Sequence, residues 1–471
     1  DAALDRAEAF YKTHKSIPGA LATAGLRGSD FITGWKRRTD PLDIGFVDES
    51  SMLDDKQLED LKEIFPTLVM FGDPAQLAPV GQSGAMSFDK LPEKRKLILH
   101  RVHRQEAGNP IRVGASGAGW MGSGFVAQMR LVPGMEVVVL ADSDTAAAHQ
   151  AFLDSGIKKD DIIEASAVGP AADALSKGKR VVTGTYDLAA QLDNVDIVTD
   201  VTYSPATGAE TAAACIRHGK DVVLINIEAD VTVGHILNKR AREAGTLYTV
   251  SSGDEPGCLM ELYNFVTSLG YEIIVIGKGK NNPLNPAATP DMVADSARKA
   301  DKDPYQVASY VDGTKTMFEM TCAANATGCL PMQRGMIGPD ATLETVSQVF
   351  ALQEDGGLTK YPGAVDFVQG NSMAGGVFVT VRVEDERIRD DLQYLKVGQG
   401  KYFTFFRPYH LWFLEAPISI ARAHLHRHVT LAPLDRPVAE AMTVAKRDLN
   451  PGERLDDFGG YTFHGVMDRA E

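Results

Sequence analysis

The stretch IRVGASGAGWMGSG at 111–124, closing about 20 residues past its last signature glycine on VVVLAD at 137–142, constrains the fold more than any other part of the chain. A short apolar run leads into glycines Gly117, Gly119 and Gly122 at GxGxxG spacing, and a helical run beginning at Trp120 and Met121 follows. Each glycine has its own physical task. One makes the tight turn, one lets the backbone approach a pyrophosphate, and one lets the helix pack on the strand, with the anion at the helix N-terminus. Asp142 ends the second strand, where a carboxylate binds ribose hydroxyls and repels a 2′-phosphate, which leans toward NAD over NADP. The alternative for Asp142 is an N-cap of the helix over DSDTAAAHQAF.

Strand and helix then alternate. VDIVTDVT, DVVLIN and TLYTV read as strands, and GAETAAACIRHG and HILNKRAREAG read as helices. That alternation predicts a parallel sheet with helices on both faces. Residues 111–252 are therefore read as an NAD(P)-binding domain of Rossmann type, 253–432 as an α+β catalytic, substrate and dimerisation domain, and 433–471 as a smaller terminal module.

Upstream, residues 1–110 speak a different nucleotide chemistry. IGFVDE at 44–49 reads as a buried strand ending in two carboxylates, Asp48 to hold a magnesium ion and Glu49 to polarise an attacking water. In GDPAQLAPVG and HRVHRQ, Gln76 is placed to sense a γ-phosphate and Arg104 to act as an arginine finger. Residues 30–110 resemble the RecD-like branch of superfamily 1 helicases. The GxxxxGK[ST] phosphate cradle of that family is absent from the whole sequence, so this α/β segment is expected to be a partial, vestigial ATPase rather than a working motor. The net charge of −15 also speaks against a nucleic-acid partner, since phosphate backbones are held by clustered Lys and Arg.

Residues 111–471 resemble the homoserine-dehydrogenase-like oxidoreductases, and most closely the deoxyxylulose-phosphate reductoisomerase-like enzymes with a C-terminal SAF domain. The likeness rests on GASGAGWMG, LINIEAD, SSGDEPG, VIGKGKNNP, VDGTKTMFEM and AKRDLNPGERLDDFGGYTFHG. It implies hydride transfer between NAD or NADP and a small hydroxy or carbonyl substrate, with isoprenoid-precursor synthesis one member activity. It also implies a partial SAF (β-clip) module over 433–471, which stops short of the family's usual end.

Several residues are candidates for that chemistry. Asn226 and Glu228 match the place where related enzymes carry an Asn-Lys-Glu sequence beside the nicotinamide, with Ile227 replacing the lysine. Glu228 as a carboxylate opening the next helix is the alternative. Lys278, Lys280 and Asn281 lie in a glycine-rich turn suited to a phosphate or oxyanion, or are solvated lysines. Asp312, Lys315 and Glu319 share one helical face, which an i,i+4 ion pair of Lys315 with Glu319 would explain; the resemblance places the segment in the catalytic domain, which implies Lys315 as general acid or alkoxide stabiliser tuned by Asp312. SSGDEPG resembles the position of metal-binding carboxylates in reductoisomerases, but adjacent Asp254 and Glu255 are expected to diverge. A divalent metal is admitted there and not predicted. His424, His426 and His428 would share a strand face but fall in a helical context, and His410 reads as a packed residue among aromatics.

The rival function classes are a DNA-dependent ATPase and a non-catalytic nucleotide-binding scaffold. Four scattered cysteines fit a reducing cytoplasm, and neither a membrane-spanning run nor a signal peptide is found. A homo-oligomer and a small-molecule substrate are expected. The start at Asp1 suggests a fragment or processed product.

Overall fold

The chain is described from a computed structural model, which covers residues 108–471 together with strands β1 (Ile44–Val47) and β2 (Thr67–Met70). The two strands pair in parallel, Ile44 against Thr67, within a unit spanning 1–100. The expected strand at IGFV is thus found. Asp48, Glu49, Gln76 and Arg104 lie outside the described residues.

From Ile111 onward the chain builds β3 (Ile111–Ser116), α1 (Trp120–Met129), β4 (Met135–Ala141), α2 (Thr145–Asp154), β5 (Ile162–Glu164), α3 (Val168–Ser176) and β6 (Arg180–Thr183). It then crosses to β7 (Ile197–Asp200), α4 (Pro205–Arg217), β8 (Asp221–Leu224), α5 (Ile227–Ala244) and β9 (Tyr248–Val250). The seven strands are all parallel, in the order β5-β6-β4-β3-β7-β8-β9. This is a doubly wound, Rossmann-like α/β sheet, with its switch of strand order between β3 and β7.

Sequence dictates this locally. Strands buried on both faces need near-continuous apolar runs, and β4, MEVVVLA, is buried everywhere but Glu136. Phe125, Val126 and Met129 of α1 close one face of the sheet, and Ala212, Ala214 and Cys215 of α4 close the other. Ser204 caps α4 by accepting from the Thr207 N–H, with Pro205 in its first turn. Asn226 caps α5 by accepting from the Ala229 N–H, and Gly245 ends that helix at φ 73°.

The second half contains α6 (Glu255–Ser268), β10 (Glu272–Gly279), α7 (Pro290–Lys299), α8 (Pro304–Val311), α9 (Thr314–Thr327), β11 (Leu330–Pro331) and α10 (Val346–Val349). It continues through β12 (Ala364–Val368), β13 (Val377–Arg382), α11 (Glu386–Tyr394), β14 (Tyr402–Arg407) and α12 (Ala416–His426). Its five strands form a mixed sheet ordered β11-β12-β10-β13-β14, covered on one face by apolar residues of α6 and α9. Here α12 leaves the second half. Its Ala416, Ile420 and Ala423 pack on the dinucleotide sheet, and Leu431 bridges to Val250 at the sheet edge. The expected helical context of His424 and His426 is found, with both in the last turn of α12 and His428 beyond it.

The last segment is an antiparallel hairpin, β15 (Ala439–Ala445) with β16 (Phe463–Arg469). It docks on α9 through the Asn325 side chain, which accepts from the Val438 and Ala439 N–H groups and donates to the Ala439 carbonyl. Among the described residues, no helix is long and apolar enough to cross a membrane, and all four cysteines are free and buried.

Candidate active site

At the carboxyl end of β3 the glycine turn has the geometry its spacing predicts. Gly117 sits at φ 104°, and a Cβ there would stand 2.9 Å from the Val201 carbonyl. A Cβ on Gly122 would meet the Gly117 carbonyl oxygen at 2.1 Å, so the helix can start this close to the turn only with glycine. Gly119 differs, because a Cβ there would meet nothing within 4 Å. Nothing in the protein demands that glycine, and the open space lies where a pyrophosphate approaches a helix N-terminus. Asp142 accepts the Ala118 N–H at 2.6 Å and the Asp144 N–H at 2.9 Å. It is not the cap of α2. Asp144 does that, accepting from Ala146 and Ala147.

Trp120 is half exposed at the start of α1, with Met121 packed against the core beside it. Its ring meets Trp412 edge-on at 5.4 Å, and the Lys302 ammonium stands 5.0 Å from the centroids of both.

Beyond the ends of β7 and β8 the two halves face each other across a buried ionic cluster. Glu228 lies in the first turn of α5, which fits the alternative of a carboxylate opening that helix, and it turns inward to accept from Lys315 Nζ at 2.9 Å, a pairing the sequence did not suggest. Asp254 stands 3.9 Å from the same ammonium. Lys315 therefore does not form the i,i+4 pair with Glu319. Glu319 pairs instead with Lys278 of β10, which also holds Glu255 at 2.5 Å. Both partners lie across the cleft from α9, and burial favours those contacts over one along the helix surface.

Asp312 does not tune Lys315 by contact either. One oxygen accepts the Thr314 N–H at 2.8 Å at the start of α9, and the other stands 2.8 Å from Lys446 Nζ of the C-terminal hairpin in an ion contact. Lys280, also buried, donates to the Tyr310 carbonyl at 2.5 Å, while Asn281 is exposed in the turn.

The electrostatics follow from burial. Desolvation pushes the Asp254 carboxyl well above the usual range, with Glu255 adding to it and Lys315 opposing. Burial acts on Glu255 in the same sense, but the Lys278 ammonium overcomes it and holds that carboxyl low. Glu319 is pushed up to about 7, by burial and by Glu255. Burial works against the Lys315 ammonium, yet Glu228 and Asp254 raise it well above its ordinary value, so it stays cationic. Lys280 drops to about 8, through burial and the Lys278 charge.

The structure departs from the sequence reading at several groups. Asp254 and Glu255 converge, because Asp254 is extended (ψ 160°) while Glu255 begins α6, and the change of backbone turns both carboxyls to one side. His410 is in the site and not merely packed: its Nε2 lies 3.6 Å from Glu255 and accepts the Trp412 N–H, and its Nδ1 meets the Gly375 carbonyl at 2.7 Å. Tyr203 and Tyr310 border the cluster, both lifted first by burial and both under the opposing pull of Lys315. Asp200, buried at the end of β7, is raised to about 7 by desolvation. No local motif marks Asp200, Tyr203 or Tyr310, since their partners in the cluster are distant in sequence.

Asp254, Glu255 and His410 each offer a ligand atom within 4.8 Å of the others, which tests the metal that the resemblance admits. The set does not fit a resident divalent cation. Lys278 already sits on Glu255, both His410 nitrogens are engaged, and Asp254 faces Lys315.

Residues 117–250 match the family model described as homoserine dehydrogenase, NAD binding domain. Residues 253–416 match oxidoreductase DRL, catalytic domain, and residues 7–118 match AAA domain. No curated protein matches the chain. Among solved structures, a probable dehydrogenase from Thermotoga maritima is 13% identical, with 68% of this chain and 90% of that one covered at a TM-score of 0.38. For scyllo-inositol dehydrogenase from Lactobacillus casei with bound NAD(H) and scyllo-inositol, the values are 12%, 63%, 76% and 0.37. For 1-deoxy-D-xylulose 5-phosphate reductoisomerase from Zymomonas mobilis in complex with NADPH, they are 18%, 46%, 57% and 0.32. The described part of the chain is thus similar, domain after domain, to a homoserine-dehydrogenase-type NAD-binding domain followed by a DRL-type catalytic domain, and the two family matches support a generic NAD(P) oxidoreductase.

Proposed function

We propose that residues 111–432 transfer hydride between NAD(P) and a small hydroxy or carbonyl substrate, with or without a phosphate, in the manner of homoserine dehydrogenases or reductoisomerases. One observation carries this reading: the part-buried Lys315 ammonium, held 2.9 Å from Glu228, lies past the strand ends of the same sheet that presents the open glycine turn at Gly119.

NAD(P), when bound, supplies or accepts the hydride. The glycine turn and the N-terminus of α1 would hold its pyrophosphate, and Asp142 would meet the ribose, which favours NAD. Lys315 places a permanent positive charge at the substrate oxygen, where negative charge develops on reduction, and Glu228 fixes the direction of that ammonium. An ammonium raised this far is a poor proton donor, so of the two roles open to Lys315 alkoxide stabilisation fits better than general acid catalysis. Lys280, near its titration point at neutral pH, binds an anionic substrate group or passes a proton.

The test is titration of the purified chain with NADH, NADPH and ATP-magnesium, read by nicotinamide fluorescence and thermal shift. Saturable binding of a reduced nicotinamide is expected, and stabilisation by ATP alone would overturn the assignment. On a panel of small carbonyl and hydroxy compounds, Lys315→Met should keep cofactor affinity and lose about 100-fold or more in turnover. Unchanged turnover would remove Lys315 from the chemistry.

A further inference from the structure

We infer that Lys278 is a built-in cation for the acidic pocket of Asp254, Glu255 and Glu319, holding by its ammonium Glu255 and Glu319, two carboxylates that a divalent metal would otherwise bridge. The inference deepens the oxidoreductase reading of the same site and rests on it only for the role of the substrate.

Three carboxyl groups and an imidazole converge here without a metal-like geometry of free lone pairs. Glu255 and Glu319 come from the starts and middles of different helices, α6 and α9, and both reach the one Lys278 Nζ that projects from β10. All three side chains are at most 5% exposed. A divalent cation on Glu255 would stand within a few ångströms of that ammonium, with no water between to screen the repulsion. The fourth donor is closed as well. A His ligand needs a free lone pair on one ring nitrogen, and Nε2 of His410 receives the Trp412 N–H at 2.6 Å while Nδ1 faces the Gly375 carbonyl.

Charge balance points the same way. Glu228 and Asp254 have Lys315, Glu255 and Glu319 have Lys278, and buried Lys280 brings a third ammonium to the four carboxyl groups. A further double positive charge has little to neutralise. Substrate oxygens entering the cleft then meet Lys315 and Lys280, both donors on flexible stems, in place of a metal's vacant coordination positions.

The experiment is a manganese titration of EDTA-treated full-length protein, followed by the EPR signal of free Mn²⁺ and by thermal shift. Wild type is expected to show no saturable one-to-one binding. Lys278→Ala should gain one Mn²⁺ with affinity raised roughly 100-fold or more over wild type, together with Mn²⁺-dependent thermal stabilisation. The double variant K278A/E255Q should lose that gain. Tight one-to-one binding in wild type that Glu255→Gln abolishes would overturn the inference, and so would a folded Lys278→Ala that gains no Mn²⁺. Should Lys278→Ala fail to fold with or without the metal, the wild-type and Glu255→Gln titrations decide alone. Titration of the same wild-type sample with NADH and NADPH separates the two ideas: failure to bind a nicotinamide sinks the oxidoreductase reading and leaves the manganese result standing.

Discussion

Lys446 of the C-terminal hairpin reaches into the foundation of the active-site helix, and removing its charge should unsettle that helix. Its side chain is 3% exposed, and Asp312, at 2.8 Å, is fully buried. Lys446 also donates to the carbonyls of Ala288 at 2.5 Å and Gly460 at 2.7 Å. At an effective dielectric of about 20, unit charges at the observed separation attract by about 6 kcal/mol. Desolvation consumes much of this, but Lys446→Met leaves Asp312 charged, buried and unpaired, a loss of about 3–5 kcal/mol. For a chain this large that corresponds to a fall in melting temperature of roughly 6–20 °C, toward the lower end.

The assay is a double-mutant cycle in urea with Lys446→Met, Asp312→Asn and both. Asp312→Asn keeps an oxygen for the Thr314 N–H and removes the charge that Lys446 answers. K446M/D312N should therefore recover at least about 1 kcal/mol over Lys446→Met alone. Because Gly465 also donates to Thr314 Oγ1, next to Lys315, the hairpin variant should lower turnover without changing cofactor affinity. A loss below about 1 kcal/mol for Lys446→Met, or strict additivity in the cycle, would refute a structural role for this contact.

Gly119→Ala should leave the melting temperature almost unchanged, because its Cβ meets nothing, and weaken NAD(P) binding by tenfold or more (on the order of 10–100-fold) as measured by fluorescence titration. Gly122→Ala should lose both stability and binding, since its Cβ collides with the Gly117 carbonyl. Asp142→Ala should shift the ratio of NADH to NADPH affinity toward NADPH by roughly tenfold, and an unchanged ratio would detach that carboxylate from the ribose. The pH dependence of stability tests Asp200, whose carboxyl rises from 3.8 unfolded to about 7 folded. The native state then binds more protons than the unfolded state across that window, so this contribution is present in full below pH 3.8 and is lost as pH rises through 7. Asp200→Asn should flatten the melting-temperature profile between pH 5 and 8, measured by calorimetry, and an unaltered slope would show that Asp200 does not titrate there.

Local rules made the dinucleotide half legible. A turn that needs φ 104° at Gly117 has few sequence solutions, and strands buried on both faces announce themselves as apolar runs such as VVVLA. The buried ionic cluster obeys no local rule. Periodicity placed Lys315 and Glu319 one turn apart and suggested that they pair, but Lys315 finds Glu228 87 positions away, and Glu319 finds Lys278 41 positions away. Such partners exist only once α5, α9 and β10 have packed, and no pattern along the chain encodes that packing. The divergence expected of Asp254 and Glu255 failed for a related reason: it assumed regular structure, and the pair straddles a helix start. The end of α12 shows the limit of reading domains as consecutive segments, since Ile420 returns to the first sheet after the second is complete.

The sign of the field in the cleft depends on that same packing. Glu228, Asp254, Glu255 and Glu319 face Lys278, Lys280 and Lys315, all buried but the partly exposed Lys315. Fully ionised, four carboxylates against three ammonium groups leave one negative charge, which would repel an alkoxide or a phosphate. Burial removes the obstacle: Asp254 and Glu319 are both driven toward their neutral forms, while Glu255 and Lys315 are driven toward their charged ones. One retained proton makes the cluster neutral and two make it positive, so the cleft can receive negative charge although the whole chain carries −15. The total charge governs what approaches from a distance, screened beyond about 10 Å at ordinary salt, whereas the desolvated carboxyls set what is stable once water has been excluded. A site built this way takes its anion tolerance from protons it already holds, and raising the pH should weaken it before any lysine loses its charge, apart from Lys280 at about 8.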